Sequence, residues 1–264
     1  MTITNARIVH LLALLSLCST CPADSAVTDI PPSTATVHVD DGTMDGNIIS
    51  EYDNVWLVTV KYFDGRVDER GLSSDHVRFR TIAGKRYLTR TEGTTSVVGK
   101  PGEPPTSNFS MSFNVFDPVS MRPLLGEAYT SAGDSEVNNF AAKHVSTHTR
   151  QKMGAPESVV ETDTVEPVFD VHGGMTGLLL AALPLKTGYS AVLPGIADNA
   201  LDTTSIRVVG QEEIPAGRRG KMKTWIVEIG PFPAASIYWI SKRPPYVIRA
   251  TVKASNAVAS WDML

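Results

Sequence analysis

The pattern of hydrophobic and polar positions predicts a chain built mainly from β-strands. Residues 76–82 alternate polar and apolar side chains, which places Val77 and Phe79 on one face of a strand and the intervening arginines on the other. Residues 109–116 alternate in the same way, and residues 55–63 are rich in β-branched and aromatic side chains. These runs indicate antiparallel strands with one buried face.

Turn-forming residues separate the runs. Asp64-Gly65 favours a tight hairpin turn, residues 83–85 form another turn, and prolines keep residues 99–107 out of a sheet. Further strands are predicted at residues 86–90, 140–150, 159–165, 205–210, 223–229, 236–241 and 246–252. The fold class that follows is mainly β, a strongly curved antiparallel sheet or half-open β-barrel.

One segment departs from the β pattern. Residues 175–183 favour a helix that Asp170 or Thr176 can cap and that Pro184 ends. Its apolar side chains run almost all the way round, so we expect it to be covered on most sides at the mouth of the sheet. It is either a plug at the end of the sheet or a lid over an apolar cavity.

The N-terminus has the features of a secretory signal. Arg7 precedes a short apolar run at residues 8–18, and small residues follow as far as Ala26. The run is shorter than the ~20 residues that a spanning helix needs. We therefore expect residues 1–26 to be removed, and the mature protein to be periplasmic or otherwise extracytoplasmic, with no integral membrane span.

Both cysteines, Cys18 and Cys21, lie in or beside this signal, so the mature chain would hold neither a disulfide nor a thiolate metal site. Lipidation of one of them is the alternative to a soluble protein. Residues 27–54 are rich in Thr, Asp, Pro and Gly and predict a flexible arm. Residues 55–264 then form a single β domain.

Charge and motifs do not indicate an enzyme. A net charge of −4 without a basic cluster argues against a nucleic-acid partner. No G-x-S-x-G motif is present for a serine nucleophile. His144 and His148 would lie ~13 Å apart on a strand, too far to share a metal ion. We therefore predict a protein without a catalytic residue, a metal or a cofactor.

Four segments resemble a known family: residues 117–123, 182–189, 208–217 and 238–249, in order and with agreeing spacing over about residues 110–255. They are similar to the bacterial DUF3108 family. The resemblance implies an exported protein of unknown function with a strongly curved antiparallel sheet, like that of periplasmic lipoprotein carriers. It implies no catalytic residue.

A half-open sheet offers a concave apolar face on which a ligand can bind. The candidates to line it are Trp56, Phe79, Met111, Phe113, Trp225, Trp239 and Tyr246. Arg122 and Arg249 could meet an acidic head group at the rim, or each could pair with a neighbouring carboxylate.

The resulting hypothesis is a non-enzymatic protein of the cell envelope that binds a hydrophobic or amphipathic ligand, a lipid or an acylated protein. It predicts a continuous apolar cavity under the helix at residues 172–184. The alternatives are a structural or assembly partner in an envelope complex, with a filled core and a flat exposed patch, and, third, a hydrolase.

Overall fold

A single large sheet dominates the computed structural model of the protein, which describes residues 34–63, 69–98, 106–171, 175–197, 200–230, 236–253 and 257–264. The predicted signal peptide, the Asp64-Gly65 turn and residues 99–105 of the predicted loop lie outside the described residues.

Within the described ranges, sixteen strands form the sheet. In chain order they are β1 (Ala35–Thr36), β2 (Tyr52–Tyr62), β3 (Glu69–Ile82), β4 (Lys85–Val98), β5 (Thr106–Phe116), β6 (Pro123–Thr130), β7 (Ser135–Phe140), β8 (His144–Arg150), β9 (Ser158–Asp163), β10 (Phe169–Asp170), β11 (Ser190–Ala197), β12 (Ala200–Pro215), β13 (Lys221–Ile229), β14 (Ser236–Ser241), β15 (Val247–Lys253) and β16 (Ala257–Met263). Helix α1 spans Met175–Ala182, and two 3-10 helices lie at Gly46–Ile48 and Gly217–Arg219.

The strand order is β1-β11-β12-β13-β14-β15-β16-β2-β3-β4-β5-β6-β7-β8-β9. Neighbouring strands pair antiparallel except at β11, along which β1 and β10 both lie parallel. The pairing of β16 with β2 joins the C-terminal strands to the N-terminal ones. The sheet is curved and unclosed, as the sequence predicts.

The predicted strands are present, and several are longer than predicted. Six of the described strands were missed: the two-residue β1 and β10, β7 except for Phe140, and β6, β11 and β16. β6 and β11 contain a proline or glycine, at Pro123, Gly126, Pro194 and Gly195, and β16 is rich in alanine. These residues have low β-propensity, so pairing with flanking strands decides their conformation. Residues 106–107, predicted as loop, begin β5.

Helix α1 plugs one end of the sheet. Residues 178–183 are all buried, and they belong to the main hydrophobic core together with inward side chains such as Val77, Leu88 and Phe116. The predicted caps are wrong: Asp170 lies in strand β10, and Thr176 lies within the helix and donates its hydroxyl to the Val171 carbonyl. The helix is packed into the core and not laid over a void as a lid.

The described part of the predicted arm, residues 34–54, lies against the sheet. Val37, Met44 and Ile49 are buried in the main core, and Tyr52 begins β2. The Asp45 amide donates to the Ala182 carbonyl, which ties this segment to the end of α1. Residues 27–33 are outside the described residues.

Candidate functional site

Directly paired residues on neighbouring strands share a face of the sheet, so the strand register shows which side chains line the inside. One such row runs across eight strands from β13 to β5: Val227, Tyr238, Ala250, Trp261, Val58, Gly71, Ser96 and Asn108. A Cβ on Gly177 of α1 would lie 3.8 Å from Tyr238 Cδ1, which identifies this face as the inner one.

The inner face has two chemically different halves. On β13, β15, β16 and β2 it carries buried aliphatic residues, which we call the apolar wall: Val227, Ala250, Val252, Ala257, Ala259, Val58 and Val60. On β3, β4 and β5 the inner face is apolar at one end, at Val77, Leu88 and Phe116, and polar along the rest. We call these polar residues the polar wall: Ser73, Asp75, Arg90, Glu92, Thr94, Ser96, Ser110, Ser112 and Asn114.

A buried hydrogen-bonded network holds the polar wall together. Arg90 Nε lies 2.9 Å from Asp75 Oδ1, and Arg90 Nη2 donates to Glu92 Oε2 at 2.8 Å. Tyr52 donates its hydroxyl to Asp75 Oδ2 at 2.7 Å, and Ser73 donates to Glu92 Oε1 at 2.8 Å. The Arg90 and Asp75 side chains keep only 4% and 3% of their surface exposed, so this ion pair is fully inside the protein.

Burial also sets the ionisation of the network. Loss of hydration raises the pKa of Asp75 above its ordinary value, although the neighbouring Arg90 opposes the rise. Burial likewise raises the pKa of Tyr52, with the Asp75 charge acting in the same direction. The two carboxyl groups raise the pKa of Arg90 against its own desolvation, so the guanidinium stays charged.

Hydrogen bonding in this region is incomplete. Among the described residues of this region, four buried atoms have no hydrogen-bond partner: Arg90 Nη1, Asp75 Oδ1, Asn54 Nδ2 and Asn114 Oδ1. Asp75 Oδ1 nevertheless lies within ion-pair distance of Arg90 Nε. Asn54 is paired with Asp75 in the sheet and Asn114 with Arg90, so both residues flank the network. Each such group costs free energy, of the order of 1–3 kcal/mol. The polar wall therefore lowers the free energy of unfolding, and packing alone does not explain why it is present.

Tyr238 lies on the same inner face as this network, on strand β14. Burial raises its pKa to about 12, and the charges of Glu92 and Arg90 also influence it although β14 lies five strands from β4. Its side chain is nevertheless only partly buried, and no hydrogen bond joins its hydroxyl to another described residue. Tyr238 is therefore an inner-face residue within reach of the charges of Glu92 and Arg90, and we take the region between Tyr238 and Glu92 as the candidate site.

Four of the seven predicted lining residues lie inside the fold. Trp56 is buried and donates its indole N–H to the Val247 carbonyl at 3.2 Å. Trp225 belongs to the main core. Phe79 is partly buried and packs against this core. Tyr246 is buried, and its hydroxyl donates to the Ile48 carbonyl and accepts from the Ser50 amide. Trp56, Trp225 and Tyr246 are therefore engaged in packing and hydrogen bonding.

The other three lie on the outer face, opposite to the face predicted. Met111 and Phe113 point away from the polar wall because Ser112 and Asn114 alternate with them on β5, and Met111 is 38% exposed. Trp239 shares its outer row with Arg249 and donates its indole N–H to Glu212 at 2.8 Å. Alternation along β5 was correctly predicted, but its apolar set faces outwards.

The two predicted rim arginines are both paired with carboxylates. Arg122 Nη1 lies 3.3 Å from Asp40 Oδ2, and Arg249 Nε donates to Asp262 Oδ1 at 2.6 Å. Arg249 also lies over the Trp239 ring on the outer face. Of the two possibilities predicted for these arginines, the structure contains the second, in which each arginine pairs with a neighbouring carboxylate.

The sequence analysis missed Asp75, Arg90 and Glu92. None of the three was considered as an inward residue, because charged residues of a strand usually point to solvent. One signal was available: Arg90, Glu92, Thr94 and Ser96 occupy alternate positions of β4, as do Asn108, Ser110, Ser112 and Asn114 of β5. Two neighbouring strands with a continuous polar face indicate a polar interior as readily as a solvent face.

The histidines of β8 form a separate outer cluster. His144 contacts Asp163 through Nδ1 at 2.8 Å and Glu161 through Nε2 at 2.7 Å, and these hydrogen bonds raise the pKa of the imidazole. Strand β8 spans both His144 and His148, as predicted. Among the described residues, no group of three or more His, Cys, Asp or Glu side chains is arranged to hold a metal ion.

None of the helices in the described part of the chain has the length and hydrophobicity that crossing a bilayer requires. The curved, unclosed sheet with its internal plug defines a β-barrel-like protein. The chain belongs to the family of proteins of unknown function DUF3108, whose sequence profile matches residues 107–260. This confirms the resemblance found in the sequence.

A solved structure is similar to this chain in fold. It is the crystal structure of a β-barrel-like protein of the domain of unknown function DUF1849 from Brucella abortus, with a TM-score of 0.56 and 11% identity. The match covers 82% of this chain and 96% of that chain. At this identity the likeness concerns the fold alone. Among curated proteins, none matches the chain.

Proposed function

We propose that the protein is an exported, non-enzymatic protein of the cell envelope that binds an amphipathic ligand, a lipid or an acylated protein, inside its curved sheet. The observation that carries the proposal is the two-sided interior. An apolar wall and a polar wall share the inner face, and the buried ion pair of the polar wall costs more free energy than aliphatic residues would. A ligand with one apolar and one polar part matches both walls.

The place for the ligand is the end of the sheet away from helix α1. Small inward residues lie there, with Ala250, Ala257 and Ala259 on one side and Ser96 and Ser110 on the other, and the partly buried Tyr62 and Trp261 pack among the alanines. Beneath the helix, Leu178, Leu179 and Leu180 fill the interior. In this proposal Tyr238, which borders the helix, marks the near end of the site, and the ligand lies beyond it and not under the helix.

The first experiment asks whether a ligand is present at all. Mature protein purified from the envelope is examined by native mass spectrometry, and binding of the uncharged apolar dye N-phenyl-1-naphthylamine is followed by fluorescence. We expect a copurifying lipid or a saturable dye signal. If neither a copurifying lipid nor a saturable dye signal is found, the binding proposal is wrong, and the structural or assembly role becomes the favoured hypothesis.

A matched pair of variants locates the binding. Ser110→Trp places an indole on the inner face of β5, and Met111→Trp places the same group on the outer face one residue further on. We expect Ser110→Trp to reduce dye affinity at least about tenfold, since the indole occupies the space that the dye needs. Met111→Trp should bind like the wild type. Equal binding by both variants would show that the dye binds elsewhere.

A further inference from the structure

We infer that the end of the sheet plugged by helix α1 is a docking surface for a membrane that contains anionic phospholipids. The inference concerns the outside of the protein and does not depend on a ligand inside the sheet. It follows from the exposed cations that three turns bring to this end, and from the apolar side chains that are exposed near them.

The strand register places the three turns at the same end. Tyr52, the first residue of β2, pairs with Val77 near the end of β3, so the β3–β4 turn lies where β2 begins. Strand β16 ends beside the start of β2, and β15 begins beside the end of β16. Because the strands alternate in direction, the β14–β15 and β12–β13 turns also lie at this end.

Two of these turns contact each other. Arg219 Nη1 donates to the Pro244 carbonyl at 2.8 Å, which joins the β12–β13 turn to the β14–β15 turn. Together the two turns carry five exposed cations, which we call the basic patch: Arg218, Arg219, Lys221, Lys242 and Arg243. In the described part of the chain, no carboxylate lies within ion-pair distance of any of the five. Their charges are therefore available to an anionic surface.

The third turn forms a projecting tip. Strands β3 and β4 pair as far as Ile82 and Lys85, whereas pairing with β2 ends at Val77 and pairing with β5 ends at Leu88. The tip therefore extends beyond both neighbouring strands. Its two turn residues, at positions 83 and 84, both have positive φ, as a tight hairpin turn requires.

Apolar side chains are exposed beside these cations. Ile82 is 58% exposed at the projecting tip, where Arg80, Lys85 and Arg86 are exposed as well. Ile48, in the 3-10 helix that precedes β2, is 47% exposed at the same end. An acidic protein would match the cations alone, whereas the interface of an anionic bilayer accommodates both kinds of side chain. The composition of this end therefore favours a membrane.

The overall charge of the protein makes this end distinctive. The net charge is −4, so the protein as a whole is repelled by an anionic surface. Acidic side chains at this end, Asp45, Glu51 and Asp117, each accept a hydrogen bond from a backbone amide. Attraction would come from the basic patch and the projecting tip, and it would orient the protein with α1 towards the membrane.

Cosedimentation of the purified mature protein with vesicles tests the inference. Vesicles of equal parts phosphatidylglycerol and phosphatidylcholine are compared with vesicles of phosphatidylcholine alone. We expect the apparent Kd for the anionic vesicles to be at least about tenfold lower, and the difference to decrease as salt is added. Equal binding to the two kinds of vesicle, or binding to neither, would overturn the inference.

A matched pair of triple variants locates the docking surface. The first removes three charges of the basic patch: Arg218→Gln, Lys242→Gln and Arg243→Gln. The second removes three exposed charges at the opposite end of the sheet: Lys61→Gln, Arg70→Gln and Lys253→Gln. Each cation near an anionic surface contributes about fivefold, so the first variant should bind about a hundredfold more weakly, while the second changes little. Equal weakening would show that net charge alone governs binding, contrary to the inference.

A second pair tests the projecting tip. Ile82→Ala shortens the apolar side chain at the tip, and Leu72→Ala makes a similar change on the outer face away from this end, where Leu72 is 52% exposed. We expect Ile82→Ala to weaken binding to the anionic vesicles about tenfold through lost burial in the interface, and Leu72→Ala to bind like the wild type. An unchanged affinity of Ile82→Ala would contradict the contact of this end with the membrane.

Discussion

The apolar and polar walls belong to one sheet with one alternation, yet different forces hold their side chains inside. Burying each aliphatic side chain of the apolar wall contributes about 1.5–3 kcal/mol. The polar wall contributes little in net terms, because desolvation of Asp75, Arg90 and Glu92 roughly cancels their attraction. The comparison teaches that the apolar wall maintains the fold, whereas the polar wall requires a functional explanation.

The largest expected effect comes from breaking the polar wall. Arg90→Leu leaves two buried carboxyl groups without their cation, so the free energy of unfolding in urea should fall by about 3–5 kcal/mol. Arg78→Leu removes an arginine that pairs with the exposed Asp53, and should cost less than about 1 kcal/mol. Similar losses in the two variants would show that burial of the Arg90 pair has no special energetic consequence.

A second substitution probes the apolar packing around the plug. Leu180 of α1 is fully buried, so Leu180→Ala should lower the free energy of unfolding by about 2–5 kcal/mol through lost burial and a residual cavity. Leu72→Ala, on the outer face at 52% exposure, should change it by less than about 0.5 kcal/mol. A small effect at Leu180 would mean that the helix is not part of the core.

A smaller effect is expected from one hydrogen bond of the network. Tyr52→Phe removes the hydroxyl that donates to Asp75 and leaves that carboxyl group less satisfied, which should cost about 1–2 kcal/mol in urea unfolding. Tyr246→Phe is the natural comparison, since that hydroxyl also lies inside and donates to a backbone carbonyl. No loss at Tyr52 would contradict the described network.

The smallest effect is a difference in pH dependence between an inner and an outer aspartate. Burial raises the pKa of Asp75, so its contribution to stability is full below about pH 4 and is lost as pH rises through the raised pKa. Hydrogen bonds from His76 and Arg78 lower the pKa of Asp53, so its contribution is present above about pH 4 and is lost as pH falls.

Urea unfolding of the wild type, Asp75→Asn and Asp53→Asn at pH 4, 6 and 8 measures this difference. The advantage of the wild type over Asp75→Asn should shrink as pH rises, and its advantage over Asp53→Asn should shrink as pH falls. A common direction for both variants would show that the two aspartates do not differ in their surroundings.

Strand β5 shows what the alternation of polar and apolar residues can predict and what it cannot. The sequence places Phe109, Met111 and Phe113 on one face, and the structure agrees. Which face points inwards follows from neighbouring strands, and here the polar set does. By contrast, α1 was predicted with its extent and burial nearly right, because a helix that is apolar on all sides can only be stable when it is enclosed.

The sequence by itself determined the β-rich fold, the helix and the family, because local periodicity, turn residues and short motifs are properties of consecutive residues. Tertiary structure alone decided that the Arg90–Asp75 pair, on the adjacent strands β3 and β4, points inwards and that its charges reach Tyr238, on a strand nearly 150 residues further along the chain. Such contacts depend on how the whole sheet curves, and that curvature sums the twist and register of every strand pair between them.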